Sequence, residues 1–105
     1  MKKHYSEQLA GLRELVLRMG GLVEQMTRRV IQALVERNIN LLAEVRSMET
    51  QVNQLHIEID DRCFKLLALQ QPLATDLRAI VAGLKINTDL ERVGDLAINI
   101  AEAVR

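Results

Sequence analysis

From Leu9 to Leu34 apolar residues recur at steps of three or four: Leu9, Leu12, Val16, Met19, Val23, Met26, Val30 and Leu34. That spacing sets all of them on one face of a helix and matches no strand pattern. A second run follows through Leu41, Val45, Met48, Val52, Leu55, Ile59, Cys63 and Leu66. Stripes this long have to be buried, and long helices bury them against one another in coiled-coil-like packing. With 1 proline and 5 glycines in 105 residues, little interrupts such helices.

The interruptions give the boundaries. Asn38, Ile39 and Asn40 form a short break, since asparagine suits both helix ends. Gln70, Gln71 and Pro72 form a second, because proline is tolerated in a first helical turn. The expected helices are 6–37, 40–69 and 72–104, with Ser6 as the first N-cap. Each spans roughly 45 Å at 1.5 Å per residue. Two short links make antiparallel neighbours. The expected fold is therefore all-α, an up-down-up three-helix bundle forming one domain over 1–105. Gly20 and Gly21 lie inside the first helix, where together they cost roughly 1–2 kcal/mol against alanine. A close helix contact or a bend accounts for them.

The third helix departs from the pattern. Leu77, Ile80 and Leu84 begin a stripe that continues as Asn87, Glu91, Gly94 and Ile98. A polar residue, a carboxylate and a glycine thus fall where core is expected. A second apolar stripe, Ile86, Leu90, Val93, Ala97, Ile100 and Val104, offers enough to keep the helix docked. Glu91 and Asp95 share one face, one turn apart, and Asn99 continues their row. A hard or borderline cation would relieve the repulsion of the two carboxylates. Such pairs also occur on solvated faces, where Arg92 or Lys85 would screen these.

Other classes of function find little support. Lys and Arg total 14, as do Asp and Glu, and aromatics are 2%, so neither a basic surface nor a stacking platform for nucleic acid is present. No apolar run is long enough for a membrane span, and the first residues do not read as a signal peptide. One cysteine, Cys63, excludes an internal disulfide, fits a reducing compartment and reads as buried core. His56 and Asp60 are four apart, but His56 follows core Leu55 and reads as a boundary histidine. Arg28 and Arg29 read as a solvated basic spot. Neither a zinc-protease motif, nor a phosphate loop, nor a nucleophile–base arrangement is present.

The segment Thr88-Asp89-Leu90-Glu91-Arg92-Val93-Gly94-Asp95-Leu96-Ala97-Ile98-Asn99-Ile100 closely resembles the signature of the PhoU family of bacterial phosphate-transport regulators. Its hallmark is an acidic E/D-x-x-x-D motif on the third helix of a three-helix repeat. Pro72-Leu73-Ala74-Thr75-Asp76-Leu77-Arg78 is similar to the family's P-x-A-x-D-L-R element. Met19 and Gly20, followed by Val23 and Glu24, form a weaker match. Family members usually carry two such repeats, so this chain resembles the N-terminal repeat of a longer protein or a single-repeat relative, and a fragment is the favoured expectation.

The resemblance implies a regulator, not an enzyme. It implies a cytoplasmic scaffold, at most peripheral at the inner face of the plasma membrane. Its partners would be the ATPase subunit of the Pst phosphate transporter and a PhoR-type sensor kinase, with phosphate-starvation signalling restrained when phosphate is plentiful. The implied metal is iron or zinc, with manganese or magnesium as alternatives. Carried over by residue, the ligands are Glu91 and Asp95, with Asp89 and Asn99 in the same motif. Asp89 falls about 160° around the helix from Glu91 and cannot serve the same ion without another surface. Arg78 is a candidate partner contact, and a homo-oligomer is expected. The alternative is a non-catalytic helical module that self-associates or binds a partner without metal.

Overall fold

The computed structural model describes residues 2–69 and 74–103. They form helices α1 (Lys2–Glu36), α2 (Leu41–Leu69) and α3 (Ala74–Ala103) and, among the described residues, no strand. All three pack on one another along a rod of 53 × 17 × 16 Å. The break at Gln70–Pro72 and the end at Val104 lie outside the described residues.

α1 begins before Ser6, which therefore sits inside the helix and caps nothing. Tyr5 explains the extension. It is buried and continues the core stripe one turn back from Leu9 and Leu12. At the other end the backbone turns left-handed at Arg37, with φ of 53°. The Asn38 N–H then donates to the Ala33 carbonyl at 3.1 Å, closing the helix in a Schellman pattern. The Asn40 N–H donates to Asn38 Oδ1 at 3.0 Å, and α2 starts at the next residue.

The stripes of α1 and α2 form the core. Met19, Met26, Val45 and Ile59 are fully buried, and so is Cys63. Leu15, Ala33 and Leu42 join them from positions beside the expected stripe. Leu34 does not: it is exposed, and Ala33 occupies the seam. A 3.6-residue helix drifts against a 3.5-residue pattern, so the face rotates by the end of a long helix.

α3 docks through its polar-looking stripe. Ile80 and Asn87 are fully buried, Gly83 and Gly94 are buried, and Leu84, Glu91 and Ile98 are half-buried. Of the second stripe, Ala97 is buried and Leu90 half-buried, while Ile86, Val93 and Ile100 are exposed. The expectation that this stripe holds the helix is thus corrected. Two features seat the other face. Asn87 finds two acceptors for its amide Nδ2 on α2, which offsets part of the cost of burying it. Gly94 is buried against α2, where a Cβ would make ordinary van der Waals contact with Val52 Cγ1 at 3.7 Å. Leu77, expected to start the stripe, is exposed.

Candidate functional site

The polar part of α3 meets α2 in a compact cluster. The Asn87 amide Nδ2 donates to the His56 carbonyl and to Asp60 Oδ1, each at 3.0 Å. Its Oδ1 is buried without a partner among the described residues. One turn on, Glu91 Oε2 lies 3.1 Å from His56 Nδ1. The two atoms are at ion-pair distance but are not aligned for a hydrogen bond. Their attraction therefore requires a protonated ring. On the far edge of the imidazole, Nε2 is 3.8 Å from Asp60 Oδ2. His56 thus stands between two carboxylates, one on each helix.

Behind this cluster lies Cys63, with Sγ near the Ile80 carbonyl and Gly83. Burial first, and the Asp60 charge second, push its thiol up to about 11. A neutral buried thiol is a poor nucleophile and a poor metal ligand.

The four motif residues part company. Glu91 is half-buried and faces α2; Asp95, one turn further, is exposed, and Asn99 follows on the same row, also exposed. Asp89 is exposed between Ile86 and Val93, away from that row. Among the described residues, no three His, Cys, Asp or Glu side chains converge closely enough to hold a metal ion. Glu91 and Asp95 share a row one turn apart, so an ion there would have at most these two carboxylates and the Asn99 amide from this chain. A hard cation takes six to eight oxygens, so water or another surface would have to supply the rest.

Arg78 is exposed near the start of α3, remote from the acid row. The expected basic spot on α1 is paired within the chain: Arg28 with Glu24, and Arg29 with Glu44 of α2 at 3.5 Å. Such exposed pairs add little stability. Asp76 lies in the first turn of α3, where its charge complements the helix dipole.

The pairing of Glu91 with His56 and the burial of Asn87 were not anticipated from the motif. A signal was present. His56 and Asn87 stand almost equally far from Gln71, so an antiparallel hairpin sets them level.

A family model for the PhoU domain matches residues 16–104. The chain belongs to the PhoU family. A phosphate-specific transport system accessory protein PhoU homolog from Pseudomonas putida is 40% identical over 101 residues, covering 96% of this chain and 40% of that protein. The homolog from Caulobacter vibrioides is 43% identical over 100 residues, covering 95% of this chain and 44% of that one. The crystal structure of PhoU from Pseudomonas aeruginosa superposes with a TM-score of 0.92 at 38% identity, over 95% of this chain and 48% of that chain. The chain thus spans less than half the length of these PhoU relatives. No helix among the described residues is long and apolar enough to cross a membrane.

Proposed function

We propose that this chain serves as a PhoU-type accessory to phosphate-specific transport, as a scaffold without catalysis of its own. The observation that carries this reading is 40% identity across 96% of the chain to a protein named for that role. In the finer reading the helix faces contact the ATPase subunit of a Pst-type transporter and a PhoR-type sensor kinase. The complex restrains phosphate-starvation signalling when phosphate is plentiful. It works in the cytoplasm, at the inner face of the membrane, with exposed Arg78 among its contacts.

Glu91 and Asp95 hold the metal in this reading, iron or zinc first and manganese or magnesium as alternatives. Asn99 extends their row; Asp89 serves only an ion shared with another surface. The ion supplies positive charge that neutralises the acid row and bridges it to a second acidic surface. His56 competes for Glu91, so metal binding has to turn the carboxylate away from α2.

Two experiments test these parts separately. Metal analysis of protein purified without chelator or metal-affinity tag compares wild type with the E91A/D95A double variant. Stoichiometric metal lost in the variant supports the site, and equal metal content in both rejects it. A phosphate-starvation reporter in cells lacking the protein tests the regulation. Derepression in phosphate-rich medium supports it, and an unchanged reporter rejects it.

The second reading is self-association as a helical module without metal. The uncovered apolar edge between α1 and α3 favours it.

A further inference from the structure

The outer edge of the α2–α3 hairpin joins two surfaces of different character. On α2, Phe64 follows Asp60 by one turn on the flank that meets α3, and Ile57 precedes Phe64 by two turns on the same row. On α3, Leu77 lies two rows of turns before Glu91 through Leu84, and Val81 leads through Thr88 to Asp95 on the adjacent row. Cys63 Sγ stands 4.0 Å from the Ile80 carbonyl, which sets Phe64 and Val81 level across the groove. Ile57 is 68% exposed, Phe64 64%, Val81 53% and Leu77 42%. Asn53, Gln54, Glu58 and Asp61 around them on α2 are polar, as an exposed face should be. Packing within the bundle gives no reason for Ile57 and Phe64 there. Contiguous exposed apolar side chains mark interaction sites, and aromatics are enriched in such contacts. Further along, the same edge turns acidic, through Asp60, Glu91 and Asp95, with half-buried Glu49 on the α2 side. Arg46 of this stretch already pairs with Glu102 at 3.9 Å. Asp95 and Glu49 have no ion-pair partner among the described residues. Lys85 and Arg92 are exposed about 100° further round α3 from Leu84 and Glu91.

We propose that the α2–α3 edge docks a basic amphipathic helix of a partner protein. Apolar side chains of that helix cover Phe64, Ile57 and Val81, and its Lys or Arg residues, roughly 10–20 Å further along, meet Glu91 and Asp95. Charge complementarity selects this occupant. A row of unpaired acids favours a cationic partner and rejects an acidic one. An anionic bilayer surface would be repelled by the same row. A second copy fits badly, because a two-fold contact lays the edge on itself. Either acid then meets acid, or the acids are buried unpaired against apolar side chains. The partner's cations take the place that the ion takes in the metal reading, so the two compete for Glu91 and Asp95.

The inference rests on the scaffold reading for the existence of a partner, and the two fail separately. An unchanged starvation reporter rejects the accessory role, whereas binding by the chain itself decides this proposal. The probe is a fluorescent synthetic helix of about 18 residues, long enough to span the edge. It carries leucines on one face of its first half and lysines on the same face of its second half. Fluorescence anisotropy is read on the whole chain with chelator present. Binding is expected to saturate below about 1 mM. The same peptide with glutamate in place of lysine should bind about tenfold more weakly or worse. F64S and D95K should each weaken the lysine peptide by about tenfold or more. Phe64 and Asp95 are exposed, so helical circular dichroism should not change. L17S, at an exposed leucine on the outer side of α1, should leave the affinity unchanged. No binding overturns the proposal. So do equal affinities for the two peptides, or a loss in L17S as large as in F64S. Binding of the chain to phosphatidylglycerol vesicles, lost in F64S, would make a membrane the occupant and overturn it as well.

Discussion

The two flanks of α3 differ in a way that hydropathy does not foretell. Toward α2 the helix presents Asn87, Glu91 and Asp95; toward α1 it presents Ile86, Val93, Leu96 and Ile100. The first flank begins in the core and ends at an exposed acid, while the second lies mostly in water. Burial here follows fit and satisfaction rather than greasiness. Asn87 is buried because α2 supplies acceptors for its amide, and Gly83 and Gly94 are buried in the same seam. The larger side chains on the other flank are left free for contacts beyond the bundle.

The largest effect expected from this contrast uses one residue type at two places. Ile80→Ala, in the seam, should cost about 2–5 kcal/mol in urea denaturation. Ile86→Ala, on the exposed flank, should stay within about 0.5 kcal/mol. Equal costs would break the comparison.

The dryness of the seam is tested by pH. The folded thiol of Cys63 titrates near 11, against an ordinary value of 9.0. Its stabilising contribution is complete below the ordinary value and is lost as pH rises to and through the folded one. Two units correspond to roughly 3 kcal/mol at most. Wild type should therefore lose more stability than Cys63→Ala between about pH 8 and about pH 11. Parallel losses would mean that water reaches the thiol.

Asn87→Ala should cost about 1–3 kcal/mol, because it removes two hydrogen bonds to α2 and leaves a small void. A cost no larger than that of Val93→Ala, measured in the same denaturation series, would remove the satisfied amide as the reason for burial.

The smallest effect sharpens the other flank. A Cβ on Gly20 or Gly21 meets nothing in the chain. Each alanine should stabilise the single chain by about 0.5–1 kcal/mol. Urea denaturation of both variants checks this, and a loss of stability in either would contradict it.

These contrasts show what the residue pattern conveys and where it stops. In α1 and α2 a single apolar stripe exists, and it placed Met19, Met26, Val45 and Ile59 correctly in the core. Tyr5 and Leu42 escaped it because they flank the ends, where stripes are short. In α3 two stripes compete, and periodicity alone favours the greasier one. The choice is made by tertiary facts: which helix lies beside each face, and whether that helix offers an acceptor to Asn87. The acid pair Glu91 and Asp95 is legible from its spacing and from the motif. Its neighbour His56 is not legible from helical period; only the near-equal distance of His56 and Asn87 from Gln71 in the hairpin points to it.

The most direct test is a nuclear Overhauser spectrum of the isotope-labelled chain. The expected result is cross-peaks from the Asn87 side-chain amide to protons of His56 and Asp60, with the Val93 and Ile100 methyls showing none to α2. Contacts from those methyls to Val52 or Ile59, with an Asn87 amide that exchanges freely with water, would show α3 docked by its other flank and contradict the account.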